Sequence, residues 1–290
     1  MASRRAYRVA LSSAFVIGTL ARVALIPRSA LASRLPALIC GLILLVWLPR
    51  VVARRLGDGP GLATAWILAL SPALVTASRL SLPAAASTLF AALAAVAFLR
   101  WWMCGSRVAA GLHAPYAALA LAFAPRAAPF VLASWAFGAG DLCVRPRTSA
   151  RPKPSQVIVV ALATAAAVTL ALSPAVASLL DARAGAASTA GAEASGDDER
   201  LPWARWMATR HPIIALVLAA AALAGVLLLW RRQRRILLFS VVLVAAQLVA
   251  LALEPRGAVL ANHDLLVALP VVVVWVAVAL AEPWRTVQRT

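Results

Sequence analysis

A single charged residue, Arg79, separates two long apolar runs, and it is the first candidate for chemistry in this chain. The runs cover residues 61–78 and 82–99, and the segment SRLSLP between them carries no other charge. A guanidinium in that position either lies in water at a membrane face or binds an anion, because a charge inside hydrocarbon is costly. Polar side chains are also concentrated in residues 181–210 and 254–264. These three segments are therefore where a site is expected.

The composition is typical of a membrane protein and excludes an ordinary soluble domain. Apolar residues make up 63% of the 290 residues, against about 45–50% in soluble domains, and the mean hydropathy is +0.88. The chain has 28 basic and 10 acidic residues, a formal charge of +18. In a soluble protein that excess would indicate nucleic-acid binding. Here the basic residues cluster at the ends of apolar runs, as the positive-inside rule predicts, so no nucleic acid is expected as a partner.

Hydropathy divides the chain into ten apolar segments, each close to the roughly 20 residues that a helix needs to cross the hydrocarbon core. We therefore predict an all-α, polytopic integral membrane protein with about ten transmembrane helices in a single membrane domain, residues 1–290. The first segment follows a basic start and ends near residue 26, and the lack of a polar cleavage region predicts an uncleaved helix. The other nine cover residues 35–52, 61–78, 82–102, 108–124, 127–144, 155–180, 213–230, 236–253 and 265–281.

The distribution of basic residues orients these segments. With the N-terminus inside, the inner segments carry about twice as many basic residues as the outer ones. Both termini are then predicted to be cytoplasmic, in the inner (plasma) membrane. Residues 145–154 are expected to form a cytoplasmic basic linker, and residues 181–212 the main extracytoplasmic loop. Because no acidic residue falls in the middle of a segment, a proton-coupled transporter is disfavoured.

Two side-chain placements follow from this topology. Arg22, near the outer end of the first segment, is expected to snorkel to the lipid headgroups. Tryptophans near segment ends, among them Trp101, Trp102 and Trp230, are expected in an interfacial aromatic belt.

Residues 34–102 resemble the core of the GT-C membrane glycosyltransferases. Three features carry the resemblance: the basic, glycine-terminated turn ARRLG, an Ala-rich helix ending in LSPALVTASRL, and a proline at the start of the next helix. The likeness is greatest to the protein mannosyltransferase and aminoarabinose transferase branch. LPWARWMATRHP and NHDLLVALPVVVV match the family more loosely. The resemblance implies a GT-C-like fold.

The resemblance also implies a reaction, the transfer of a hexose or pentose from a polyprenyl-phosphate carrier to an acceptor on the outer face. Such chemistry needs a carboxylate to activate the acceptor hydroxyl and cations to hold the departing phosphate. Arg79 matches the arginine of the family's third-to-fourth hinge and is the expected phosphate contact. Arg256 and His263 are the other candidate substrate-binding residues. The implied partners are the polyprenyl-phosphate-linked sugar and membrane lipids.

Two carboxylates that the family leads one to expect are missing. The family's first outer loop carries an essential acid, but PRSALASR has none, and Ala84 stands where relatives often have Asp. Glu254 and Asp264 are the candidate catalytic acids in their place, with the acidic residues 197–199 as a further possibility. The first alternative to a transferase is a catalytically inactive scaffold or lipid-binding partner. The second, less favoured alternative is a transporter. No cofactor and no metal-ligand cluster is predicted.

Overall fold

The computed structural model describes residues 2–23, 31–80, 82–144, 152–171, 212–253 and 266–287. These residues form helices joined by short turns, and no strand occurs in the ranges just given. A short 3-10 helix covers Pro125–Ala127. The α-helices of the described ranges are α1 (Ala2–Val23), α2 (Leu31–Leu56), α3 (Asp58–Leu70), α4 (Pro72–Leu80), α5 (Leu82–Cys104), α6 (Arg107–Phe123), α7 (Ala128–Val144), α8 (Pro154–Ala171), α9 (Pro212–Arg232), α10 (Arg234–Leu253) and α11 (Leu269–Val287).

The predicted all-α class is confirmed, and each of the ten apolar segments contains helix in its described part. Within the described residues, four helices have the length and apolarity needed to cross a membrane: most of α1, together with α2, α5 and α8. The bent pair of α3 and α4 makes a fifth candidate, while α7 and most of α11 are apolar but shorter. These helices are compatible with a membrane protein.

The helices group into two compact units. The first unit contains α1 to α4, the beginning of α5, α9, the first part of α10 and α11. The second contains the rest of α5, then α6, α7, α8 and the end of α10. The chain passes from one unit to the other within α5, after Ala85, and within α10, after Ser240.

A single residue, Gly57, joins α2 to α3. Its φ of 99° lies in the region that side chains other than glycine's rarely adopt. The Gly57 N–H donates to the carbonyl of Ala53 at 3.0 Å and completes the last turn of α2. Gly61 then lets the two helices touch, because an added Cβ there would lie 2.9 Å from the carbonyl oxygen of Pro49. The ARRLG motif is thus a tight turn between packed helices.

The third predicted segment is bent between α3 and α4. The axes of the two helices differ by 61° across Ser71. Proline has no N–H to continue the hydrogen-bond ladder, so Pro72 leaves the carbonyl of Leu68 without the donor that an uninterrupted helix would supply. The Ser-Pro dipeptide in LALSPALV therefore interrupts what hydropathy alone predicts as one span.

Helices α9, α10 and α11 meet at a small buried core in the first unit. We call this core the Leu229 cluster; it consists of Leu229, Leu237 and Val278, and Leu56 at the end of α2 packs against it. Gly225 of α9 lies against the backbone of Trp275, so closely that an added Cβ would overlap the Trp275 carbonyl oxygen. Glycine is therefore the residue that permits α9 and α11 to approach this closely.

The second unit has an aromatic core. Phe98 stacks on Trp102 with centroids 5.4 Å apart and meets Trp101 edge to face at 5.7 Å. Trp102 donates from its indole Nε1 to Asp141 at 2.9 Å. Trp101 and Trp102 are 1% and 2% exposed, so their predicted place in an interfacial belt is wrong. Both rings face neighbouring helices of the unit, which a position near a segment end does not reveal.

Candidate functional site

Only one of the five site residues predicted from the sequence lies in the described part of the chain. Arg79 belongs to the last turn of α4 and not to a loop. Glu254, Arg256, His263 and Asp264 lie outside the described residues. The predicted acidic residues 197–199, the loop 181–211 and most of the basic linker, residues 145–151, lie outside them too. The pairing of an outer carboxylate with Arg79 therefore stays a prediction.

The described residues place a different arginine, Arg22, in a buried site. Arg22 is in the last turn of α1 and is 1% exposed. Its Nη1 donates to the carbonyl of Gly18 at 2.8 Å, and its Nη2 donates to the carbonyl of Leu68 at 2.9 Å. The second acceptor is the carbonyl that Pro72 leaves without a helical donor. The expectation that Arg22 snorkels to the headgroups is therefore wrong.

Small residues bring α1 close enough for this contact. At Gly18, an added Cβ would lie 3.0 Å from the Ala69 Cβ of α3. At Gly41 of α2, an added Cβ would lie 3.4 Å from the Arg22 Nε and would overlap the Ser78 Cβ of α4. Residues of α1, α2, α3 and α4 therefore surround one guanidinium, at the bend of the third segment.

Arg22 is a buried cation without a carboxylate partner among the described residues. Both of its hydrogen-bond acceptors are main-chain carbonyls, and its Nε has no partner within the described ranges. An arginine stays protonated in proteins, and a buried charge that lacks a counter-ion is strongly destabilising. A neutral donor could satisfy the Leu68 carbonyl equally well. Donating to the Leu68 carbonyl therefore does not explain why the residue at position 22 is positively charged.

The geometry defines what Arg22 can do chemically. Two of its five N–H groups donate to the two carbonyls, and its Nε–H has no partner among the described residues. Its full positive charge lies at a break in a membrane-length helix pair. Guanidinium N–H groups bind phosphate and carboxylate oxygens with strong, charge-assisted hydrogen bonds. The Ser78 hydroxyl, which lies beside Gly41 as the Nε does, donates to the carbonyl of Val75 at 2.8 Å. Arg22 is therefore a candidate contact for a small anion or a phosphate group.

A second buried polar residue, His113, lies in the aromatic core of the second unit. Its Nδ1 lies 3.1 Å from the carbonyl of Ala94; since a carbonyl can only accept, the Nδ1 carries the proton in the neutral ring. The His113 Nε2 has no partner among the described residues, and neither has the indole Nε1 of Trp135. The two rings lie 5.8 Å apart. Neither residue was predicted to be functional, because each falls inside an apolar segment without a motif.

The described residues contain no group of three His, Cys, Asp or Glu placed to hold a metal ion. The cysteines Cys40, Cys104 and Cys143 form no disulfide within the described ranges.

No protein-family model matches the chain, and neither does any curated protein or solved structure. The resemblance to the GT-C transferases therefore depends on sequence motifs alone, chiefly those of residues 34–102.

Proposed function

We propose that the chain is a multi-pass protein of the inner membrane that binds a polyprenyl-phosphate-linked sugar and transfers the sugar on the outer face. The proposal includes about ten spans, a GT-C-like arrangement and cytoplasmic termini. Arg22 carries the proposal: it is buried without a carboxylate partner in the described part of the chain, at the bend whose second helix carries Arg79. In the predicted topology, α1 ends at the outer side, where the carrier phosphate would lie.

Each candidate residue has a role in this reaction. Arg22 and Arg79 hold the phosphate oxygens and stabilise the negative charge that develops as the phosphate departs. Glu254 or Asp264 takes the proton of the acceptor hydroxyl. The acceptor oxygen forms a bond to the anomeric carbon, the bond from that carbon to the phosphate oxygen breaks, and its electron pair stays with the phosphate. Arg256 and His263 bind the substrate.

Access to Arg22 requires a local opening. The Nε faces Gly41, and the close approach of Gly41 to Ser78 covers it. A phosphate therefore reaches the Nε when α4 separates from α2 at this contact. The short length of α4 and the break at Ser71 support such a movement, because the break removes helical hydrogen bonds that would otherwise tie α4 to α3.

The second candidate function is lipid-phosphate binding without sugar transfer, as in a scaffold or lipid-binding partner. Ala84 favours it, since this position, often Asp in the family that the chain resembles, carries an apolar side chain that is 2% exposed. Both functions use Arg22 and Arg79, so binding alone does not separate them. Turnover does, because the inactive alternative binds the lipid-linked sugar without breaking its sugar–phosphate bond.

The test is a transfer assay on the full chain in nanodiscs, with radiolabelled polyprenyl-phosphate-linked hexose and pentose donors. We expect turnover that Asp264→Asn or Glu254→Gln abolishes and that Arg79→Gln lowers by about a hundredfold, the effect of losing one transition-state donor. Arg107→Gln, an exposed arginine of the second unit, is the matched control and should leave the rate unchanged. Binding of the donor without turnover would assign the inactive function. Flux of the intact donor across proteoliposomes would assign transport.

A further inference from the structure

Segments distant in the sequence meet at one end of the first unit. The α2–α3 turn lies against the end of α11, where an added Cβ at Gly59 would be 3.3 Å from the Ala281 Cβ. Leu56, just before that turn, packs on the Leu229 cluster, which lies beside the α9–α10 turn. Arg232 at the end of α9 pairs with Glu282 of α11. Three separate parts of the chain therefore form one continuous face.

This face is strongly basic. Its acidic residues among those described are Asp58 and Glu282, and Glu282 is engaged by Arg232. We call it the basic face, and its other exposed arginines are Arg50, Arg54, Arg55, Arg231, Arg234 and Arg235. Because arginines outnumber acids so clearly, the face attracts an anionic partner, and the charge excess favours one that presents several negative groups at once.

An exposed tryptophan marks where this face meets apolar surface. Trp230 is 47% exposed, and the Arg234 guanidinium carbon lies 4.4 Å from its ring centroid. Leu223 and Leu227, both 66% exposed, precede it on the same side of α9, because residues three, four and seven apart share a helix face. An apolar stripe therefore runs along α9 and ends in an indole and a cation, the order that a membrane interface requires.

We propose that the basic face binds the headgroups of acidic phospholipids, with Trp230, Arg231, Arg234 and Arg235 as the binding residues. The indole lies at the boundary of the acyl chains while the arginines bind the headgroup phosphates. Arg232 is not one of the binding residues, because its guanidinium is held by Glu282. Because the basic face continues into the exposed leucines of α9, a partner with both an acyl chain and an anionic headgroup fits it better than a soluble polyanion does. The inference depends on the proposed membrane placement and not on sugar transfer.

Native mass spectrometry of the full chain, released from mixed micelles of phosphatidylcholine and phosphatidylglycerol, tests the proposal. The wild type should retain phosphatidylglycerol in preference to phosphatidylcholine. The double variant Arg231→Gln/Arg234→Gln should lower that preference by about 25-fold, because each arginine near an anionic surface contributes a factor of about five. Arg234→Lys should keep most of it, because the charge remains. The matched control Arg100→Gln/Arg107→Gln removes two exposed arginines of the second unit, outside the basic face, and should lower the preference clearly less than the test variant does.

Three results would overturn the inference: equal retention of both lipids by the wild type, equal loss in the test and control variants, or displacement of phosphatidylglycerol by an oligonucleotide at equal charge concentration. The sugar-transfer assay on the same variants separates this inference from the proposed function. The Arg231→Gln/Arg234→Gln variant should transfer sugar at the wild-type rate, since these two arginines belong to α9 and α10, whereas the described contacts of Arg22 come from α1 to α4. A wild type that retains phosphatidylglycerol but transfers no sugar would overturn the proposed function alone, and a wild type that transfers sugar without preferring phosphatidylglycerol would overturn this inference alone.

Discussion

The Arg22 Nη2 donates to the carbonyl oxygen of Leu68 at 2.9 Å, across 46 positions of sequence. That carbonyl lacks a helical donor because Pro72, four residues later, has no N–H. Arg22 of α1 thus supplies the hydrogen-bond donor that the Leu68 carbonyl lacks at the break between α3 and α4.

The first prediction concerns the coupling of Arg22 and Pro72. Arg22→Leu leaves the Leu68 carbonyl buried without a donor, which costs about 1–3 kcal/mol. Pro72→Ala restores a backbone N–H that can reach this carbonyl, so it should lessen that loss. A double-mutant cycle on thermal unfolding in detergent should give a coupling of about 0.5–1.5 kcal/mol. Strictly additive effects would show that Arg22 does not serve the carbonyl freed by the proline.

The second prediction concerns the contact between Gly225 and Trp275. Gly225→Ala places a Cβ onto the Trp275 carbonyl, so α9 and α11 must separate, at a cost of about 1–3 kcal/mol. The matched control is Gly111→Ala, which enters open space in helix α6 and should be neutral or stabilise by up to about 1 kcal/mol. Chemical denaturation of both variants compares them directly. Equal stability would mean that the two helices do not pack this closely.

The third prediction concerns the α2–α3 turn. Gly57 has a φ of 99°, so Gly57→Ala should destabilise by at least about 1 kcal/mol, because alanine is strained in that conformation. Gly140→Ala is the control, since Gly140 has a negative φ and nothing lies within 4 Å of its added Cβ. The same denaturation series measures both. A Gly57→Ala variant as stable as the control would contradict the one-residue turn.

The fourth prediction concerns Arg232 and Glu282. The two side chains are 35% and 25% exposed, and ion pairs in contact with solvent contribute about 0–1 kcal/mol. Arg232→Gln should therefore cost less than about 1 kcal/mol in unfolding free energy and should leave phosphatidylglycerol retention close to wild type. A loss of lipid as large as that of Arg231→Gln/Arg234→Gln would show that Arg232 binds headgroups as well.

The sequence was sufficient for the helical class and for several turns. Ten apolar segments predict helices that are observed wherever the chain is described, because hydropathy over about 20 residues is a local property. The motif ARRLG predicts the turn at Gly57 because this feature is local too: the turn needs a positive φ at one position, and glycine adopts it readily. The Ser-Pro dipeptide also indicates the bend at Pro72, although hydropathy alone predicts α3 and α4 as one segment.

The candidate site depends on contacts that no local pattern contains. Arg22 looks like a snorkelling residue in its own segment, and its burial follows from a carbonyl 46 positions away. Trp101 and Trp102 lie near a segment end yet face the core of the second unit. Trp135 of α7 contacts Trp101, and His113 of α6 contacts Phe98, on which both tryptophans pack. Among the predicted site residues, Arg79 is placed in α4, while Glu254, Arg256, His263 and Asp264 lie outside the described residues.

The most direct test of the account is the affinity of Arg22 variants for polyprenyl phosphate without sugar. The dissociation constant is measured for the full chain in nanodiscs, for the wild type, Arg22→Lys, Arg22→Gln and the control Arg107→Gln. Arg22→Gln should weaken binding at least about tenfold, because it removes a charge-assisted phosphate contact, while Arg22→Lys should retain part of the affinity and the control all of it. Unchanged affinity in a folded Arg22→Gln protein, with wild-type melting temperature, would contradict the account.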